Sequence, residues 1–170
     1  MIREFAFGLS NRHYFQPSEN VMKWQGMNKD TFVSLYGYDD DVNKYFKENK
    51  TLAGYEGVMY MPDEYLLDVD GSTTEEAKEK VLKLILLLRK LKVPTQIYYS
   101  GRGFHIGIPG SAFRWKPSKD LHIKVKEELM KYSIYDYADP SVTDKTRIIR
   151  LTNTLNSRSK RWKIPLDTEE

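Results

Sequence analysis

Tyr65-Leu66-Leu67-Asp68-Val69-Asp70-Gly71 reads as a buried strand that ends in two acids. Side chains on a strand alternate between its faces. Leu67 and Val69 then point into the core, while Asp68 and Asp70 share the opposite face. Two carboxylates held side by side repel each other unless a cation lies between them. Hard oxygen donors of this kind suit Mg²⁺ or Mn²⁺.

The segments on either side give this strand a setting. After it, Ala77, Val81, Leu84, Ile85, Leu88 and Leu91 recur every three or four residues, which predicts a helix over Thr73–Lys92. Thr73 or Thr74 can cap it, Glu75 and Glu76 favour its first turn, and Pro94 blocks its continuation. Thr95–Tyr99 predicts a strand, Gly101–Gly103 a tight turn, and Phe104–Ile108 a second strand. A further helix is expected from Pro117 and Ser118 to about Tyr132, followed by β-like runs and polar turns over 134–166. Upstream, Thr31–Tyr38 alternates as one strand and Asp39–Asn49 has helical spacing. The order β-α-β-β-α-β predicts an α+β fold with a ferredoxin-like or RNA-recognition-type sheet.

The 170 residues fit one domain, with 1–60 as an N-terminal subregion and 61–166 as a core that holds the motifs. The chain has no Cys, which excludes disulfides, thiolate zinc sites and Fe–S clusters. No run approaches the ~18 apolar residues of a membrane span, and no signal-like stretch opens the chain, so a soluble intracellular protein is expected. The net charge of +3 is unevenly placed. Residues 63–79 hold seven acids and one base, and residues 144–163 hold seven bases and one acid. Such a pairing suits a site that holds cations in one place and phosphates in another, although a solvated surface has the same look.

Two more groups of residues carry chemistry. Ser100-Gly101-Arg102-Gly103-Phe104-His105 joins two strands through a glycine-flanked turn. Glycines permit close approach, Ser100 and the turn N–H groups can donate to an anion, and Arg102 offers a planar fork for phosphate. His105 leaves the core face and is expected on the same sheet face as Asp68 and Asp70. The plain alternative is a β-hairpin with a surface arginine. Further on, Asp139 precedes Pro140 and can be a third carboxylate or simply a turn cap. Arg150, Asn156 and Arg158 can hold a triphosphate or form a basic surface loop.

In this order the motifs resemble the archaeo-eukaryotic primase superfamily, in particular the primase-polymerases of phages and plasmids. Asp68-Val69-Asp70, Ser100 to His105, and Asp139 with Arg147–Arg158 stand where that family has its acid-x-acid strand, its Ser-to-His hairpin, and its later acid before an Arg-rich strand. Arg3-Glu4-Phe5-Ala6-Phe7, followed by Arg12, is similar to a segment near the front of primase small subunits. The resemblance covers about residues 1–166 and implies the archaeo-eukaryotic primase fold. It implies Asp68, Asp70 and Asp139 as catalytic ligands of two divalent ions, Mg²⁺ or Mn²⁺. It implies Ser100, Arg102, His105, Arg150, Asn156 and Arg158 as nucleotide-binding residues. Thr154, Asn156 and Arg158 replace the family's Ser-x-His-x-Lys, and the Cys/His zinc element of many cellular primases is missing.

What the resemblance implies for function is primer synthesis on a single-stranded DNA template. A 3′-hydroxyl held on the template attacks the α-phosphate of a nucleoside triphosphate, and pyrophosphate leaves. The implied partners are the template, nucleoside triphosphates, and a helicase or accessory helical domain, with no membrane. The implied location is the cytoplasm, that of the host cell if the chain is phage- or plasmid-encoded. Trp115, Trp162 and Arg161 are candidates for stacking on unpaired bases. Two other readings stay open: a non-catalytic module that binds single-stranded nucleic acid, and a replication initiator on a related fold. His13, His105 and His122 do not form the histidine pair that an initiator nuclease uses. A calcium loop from Asp68 to Glu79 fails at its sixth position, where Thr73 replaces glycine.

Overall fold

Two antiparallel sheets share the chain in the computed structural model, which describes residues 1–167. In chain order the first part contains β1 (Ile2–Phe7), β2 (Tyr14–Pro17), α1 (Val21–Trp24), β3 (Thr31–Ser34), β4 (Gly37–Tyr38), α2 (Val42–Asn49) and β5 (Met59–Tyr60). Then come β6 (Glu64–Val69), α3 (Thr74–Lys90), β7 (Gln96–Tyr99), β8 (Phe104–Pro109) and α4 (Leu121–Lys131). The last elements are β9 (Ile148–Arg150), β10 (Leu155–Asn156), β11 (Arg161–Trp162) and β12 (Ile164–Leu166). One sheet has the order β5-β4-β1-β3-β9, with β2 also on β1, and the other has the order β12-β7-β8-β6. β10 and β11 form a separate hairpin. No helix of the described residues is long and apolar enough to cross a membrane.

The acid-tipped strand behaves as its alternation demands. Tyr65, Leu67 and Val69 are fully buried, and with Ile106 and Ile108 of β8 they meet the apolar face of α3, made of Ala77, Val81, Leu84, Ile85 and Leu88. The Thr73 hydroxyl accepts the Glu76 N–H at 3.1 Å and so fixes the start of this helix. β6 and β7 both run antiparallel to β8 and are therefore parallel to each other, as a β-α-β unit requires. The opposite face of this sheet carries Glu64, Asp68, Tyr98 and His105.

Three expectations are corrected. The strand over Thr31–Tyr38 is two strands, β3 and β4. Val33 faces Phe5 and Tyr38 faces Ile2, so five steps on one strand match three on β1, and Leu35-Tyr36 bulge out. Ser34 holds the bulge, accepting the Glu4 N–H at 3.1 Å and donating to the Tyr36 carbonyl at 2.6 Å. The fourth helix begins at Leu121 because Ser118 is used in a β-bridge, exchanging two 3.1 Å backbone hydrogen bonds with Met59.

The closing strand of the β-α-β-β-α-β pattern is also absent from its place beside β6. There the Asp139 N–H donates to the Asp68 carbonyl at 2.8 Å, and the pairing stops. Pro140, whose fixed φ suits a first helical position, opens a 3-10 turn over Pro140–Thr143. The chain crosses to the first sheet, where β9 pairs with β3, and β12 later fills the far edge beside β7.

Lys163 joins the two sheets from between them. Its side chain is 0% exposed; Nζ donates to the Arg150 carbonyl of β9 at 2.9 Å and lies 4.9 Å from the Tyr98 ring of β7. Tyr98 in turn donates to the Glu64 carboxylate at 2.9 Å. Burial brings the Lys163 ammonium down to about 7, against the pull of Glu64 and Asp68. An unfolded lysine keeps its proton up to its ordinary value of 10.5. The burial cost is therefore full below pH ~7 and fades as pH rises toward 10.5. Between those values this residue should make unfolding free energy rise with pH by up to ~1.4 kcal/mol per unit. Urea unfolding across that range should show this rise in the natural protein and its loss in Lys163→Met. Parallel curves for the two proteins would refute the assignment.

Candidate functional site

A cleft of about 500 Å³ lies where the two sheets meet, lined from β3 and β9 on one side and from β6 and β8 on the other. Asp68, Asp70, Ser100, Arg102, His105, Arg150 and Asn156 all line it. Asp139 reaches the group through its neighbours, and Arg158 lies outside the lining. Residues up to 88 positions apart in sequence (Asp68 to Asn156) thus form one surface because β9 and the hairpin cross back over β6 and β8.

Asp68 stands opposite His105 in the β6–β8 register, so the expected common face is realised. His105 Nε2 is 3.6 Å from Asp68 Oδ1, too long for a hydrogen bond. Burial first, then the charges of Lys163, Arg150 and Arg147, hold the His105 imidazole well below its ordinary range. It is therefore neutral, and it does not offset the Asp68 charge. Arg147 does. Its Nη2 is 3.5 Å from Asp68 Oδ2 and 3.5 Å from Asp139 Oδ2, and its Nη1 donates to Ser141 Oγ at 3.1 Å. Asp139 also caps the turn that Pro140 opens, accepting the Ser141 N–H at 2.9 Å and the Ser141 hydroxyl at 2.7 Å. Cap and site residue are one carboxylate. Burial, and then the Asp70 charge, push Asp68 up to about 6, with Asp139 adding to the effect and Arg147 opposing it.

The glycine turn is pressed against the end of the acid strand. A Cβ on Gly103 would lie 2.4 Å from Asp70 Oδ1 and 2.8 Å from the Val69 carbonyl. Gly101 adopts φ +97°, a conformation that favours glycine. The Ser100 N–H donates to the Gly103 carbonyl at 3.0 Å, and the Gly103 N–H donates to Ser100 Oγ at 3.2 Å. The Ser100 hydroxyl proton is left for a ligand. Arg102 is exposed and makes no ion pair with any described residue. Asn156 Nδ2 donates to the Ser100 carbonyl at 3.3 Å and so ties the hairpin to the turn. Arg150 is anchored, donating to Asp30 Oδ1 at 2.5 Å and to the Leu155 carbonyl at 3.0 Å.

Sequence reasoning gave no individual role to Arg147, Arg12 or Asp30. Glu4 is 0% exposed in the middle of β1 and binds Arg12 through two bonds of 2.9 and 3.1 Å. Arg12 also donates to the Thr146 carbonyl at 3.0 Å and steadies the loop that carries Arg147. An acid inside an apolar strand signals a buried partner, and that clue was present in Glu4. For Arg147 the sequence offers its place in a basic stretch and at the start of the Arg-rich segment that follows Asp139.

The donor chemistry fits divalent cations. Asp68, Asp70 and Asp139 are hard carboxylate donors; burial first, and then the charge of Asp70, lift Asp68, and a bound cation would offset that rise. They are not a preformed cage: among the described residues no three His, Asp or Glu side chains gather as an ion site. In this arrangement the Arg147 guanidinium supplies the neutralising charge.

Among solved structures, the polymerase domain of Mycobacterium tuberculosis ligase D in complex with DNA matches with a TM-score of 0.49 and 12% identity. The match covers 81% of this chain and 52% of that one, so the chain spans about half the length of the compared structure. No protein-family model matches the sequence, and no curated protein does. A likeness of this degree assigns neither family nor activity, and what the cleft can do follows from its own groups.

Gly103→Ala tests the packing of turn against strand. The Asp70 carboxylate can swing away from a new methyl group, but the Val69 carbonyl cannot. The substitution should lower stability by roughly 1–3 kcal/mol, read as a fall in thermal midpoint. An unchanged midpoint would show that turn and strand are not in close contact.

Proposed function

We propose that this chain is a nucleotidyltransferase of the primase-polymerase kind, joining nucleotides on a single-stranded DNA template. One observation carries the reading: an acid pair and an arginine-bearing glycine turn occupy the same cleft, with Gly103 packed directly on Asp70. A cation-binding wall next to an anion-binding wall is what a metal-assisted phosphoryl reaction needs.

The residues divide the work by chemistry. Arg102, with no acid partner, takes phosphate oxygens of the triphosphate through its planar fork. The Ser100 hydroxyl donates to the same group. His105, kept neutral, adds a hydrogen-bonding edge without a charge that would compete with the acids. Asp68, Asp70 and Asp139 would hold Mg²⁺ or Mn²⁺, whose chemistry is to lower the pKa of the attacking 3′-hydroxyl and to neutralise the leaving pyrophosphate. Arg150, fixed by Asp30, lends its charge to the cleft without leaving its place. In the reaction the 3′-oxygen bonds to the α-phosphorus, the bond from that phosphorus to the bridging oxygen breaks, and the hydroxyl proton is released to solvent.

Arg147 gives a second reading its support. It already neutralises Asp68 and Asp139, so the same cleft also suits a module that binds single strands without chemistry. Incubation with single-stranded DNA, Mg²⁺ or Mn²⁺, and labelled ribo- or deoxyribonucleotides separates the two. Primer synthesis is expected, and Asp68→Asn or Asp70→Asn should reduce it by roughly 10³-fold, the equivalent of about 4 kcal/mol of lost charge stabilisation. Full activity in either variant would overturn the acid assignment. Strand binding without product from the natural protein would select the binding module.

A further inference from the structure

Three arginines of the cleft are paired, while Arg102 and the cations of the adjacent hairpin are not. Arg12 is held by Glu4, Arg147 by Asp68 and Asp139, and Arg150 by Asp30. Arg158, Lys160 and Arg161 of the β10–β11 hairpin are exposed and form no ion pair with any described residue. From Lys145 to Leu166 the chain has no acid at all. The backbone that carries these charges is held in place by hydrogen bonds.

The holding groups can be named. Asn156 Oδ1 accepts the N–H groups of Arg158 at 3.1 Å and Ser159 at 3.3 Å, and the Asn156 carbonyl accepts that of Lys160 at 2.8 Å. Asp30 accepts the Ser157 N–H at 3.1 Å. The hairpin is seated on the glycine turn, where a Cβ at Gly101 would come within 2.8 Å of Ser159 Oγ. Arg161 Nη1 donates to Tyr99 Oη at 2.6 Å, and Tyr99 Oη donates to the Gly101 carbonyl at 2.9 Å. This rigid unit sets three uncompensated cations beside a fourth, Arg102, at the edge of the cleft.

We propose that the β10–β11 hairpin is the docking surface for the phosphodiester backbone of a single nucleic-acid strand and leads that strand to the cleft beside Arg102. The inference rests on the nucleic-acid side of the function proposed above. Charge complementarity selects the partner: a run of fixed cations without acids matches a polyanion. Arg161 and Trp162 alternate across β11, so the Trp162 ring lies off this surface, and the contact is to backbone rather than to stacked bases.

Fluorescence anisotropy with a labelled oligothymidylate, without nucleotides or divalent ions, tests this directly. For a single strand, log affinity falls with log salt by about 0.7 per phosphate contacted. Neutralising the hairpin in Arg158→Gln/Lys160→Gln/Arg161→Gln should flatten that slope by about 2 and weaken binding roughly tenfold or more near 0.1 M salt. The pair Arg158→Gln/Lys160→Gln, which spares the Arg161–Tyr99 bond, should flatten it by about 1.4. The same charge change on the helices, Lys83→Gln/Lys90→Gln/Lys126→Gln, should leave the slope unchanged. Equal slopes for the hairpin and helix triples would overturn the proposal, as would an equal loss for duplex and single strand. Hairpin-dependent binding with no primer synthesis by the natural protein would leave this inference standing and refute nucleotidyl transfer. Primer synthesis with hairpin-independent binding would do the reverse.

Discussion

A single backbone hydrogen bond, from the Asp139 N–H to the Asp68 carbonyl, sets the course of the second half of the chain. It brings a third acid beside the acid-tipped strand, and pairing at that edge ends there because the chain enters a 3-10 turn at Pro140. The chain must then turn away. It joins the first sheet as β9, and on the way it carries Arg147 back over Asp68. The cleft exists because this crossing links the two sheets, and Lys163 fixes the link with one bond to β9 and its charge over Tyr98.

Charge balance within this junction follows a simple division. Three sets of buried or half-buried charges have a named opposite: Glu4 with Arg12, Asp68 and Asp139 with Arg147, Asp30 with Arg150. Where such pairing is incomplete, the environment shows it, as in the raised Asp68 carboxyl and the lowered Lys163 ammonium. Arg102 and the hairpin cations are left unmatched at the rim. The positive charge of these residues faces outward, where an anionic ligand can meet it.

Much of this arrangement was legible in the sequence, and the reason is locality. The spacing of Ala77 to Leu88 and the Thr73 cap depend only on neighbours within a few residues, and α3 forms where they place it. The alternation of Leu67, Asp68 and Val69 likewise buries the two apolar side chains and leaves Asp68 to the cleft, which Asp70, just past the strand, also lines. The glycine turn is visible as a pair of glycines, although its tight packing on Asp70 is not. The features that escaped are long-range. Nothing local to Thr31–Tyr38 shows that two residues bulge out against β1, since the bulge is defined by its partner strand. The crossing of β9 depends on where Asp139 meets Asp68, and the roles of Arg147 and Asp30 depend on that crossing. Arg150 looked like a triphosphate ligand in sequence, and in the structure its guanidinium is also the anchor of the hairpin through Asp30.

We propose that Asp68, Asp70 and Asp139 form a cation site for which Arg147 stands in. Crystals of the protein soaked with Mn²⁺ and a non-hydrolysable nucleoside triphosphate, measured by anomalous scattering, test it most directly. The account predicts an anomalous peak bound by Asp68 and Asp70, with the Arg147 guanidinium withdrawn from Asp68. No peak at these acids, with Arg147 still bridging Asp68 and Asp139 while the same preparation makes primers, would contradict it.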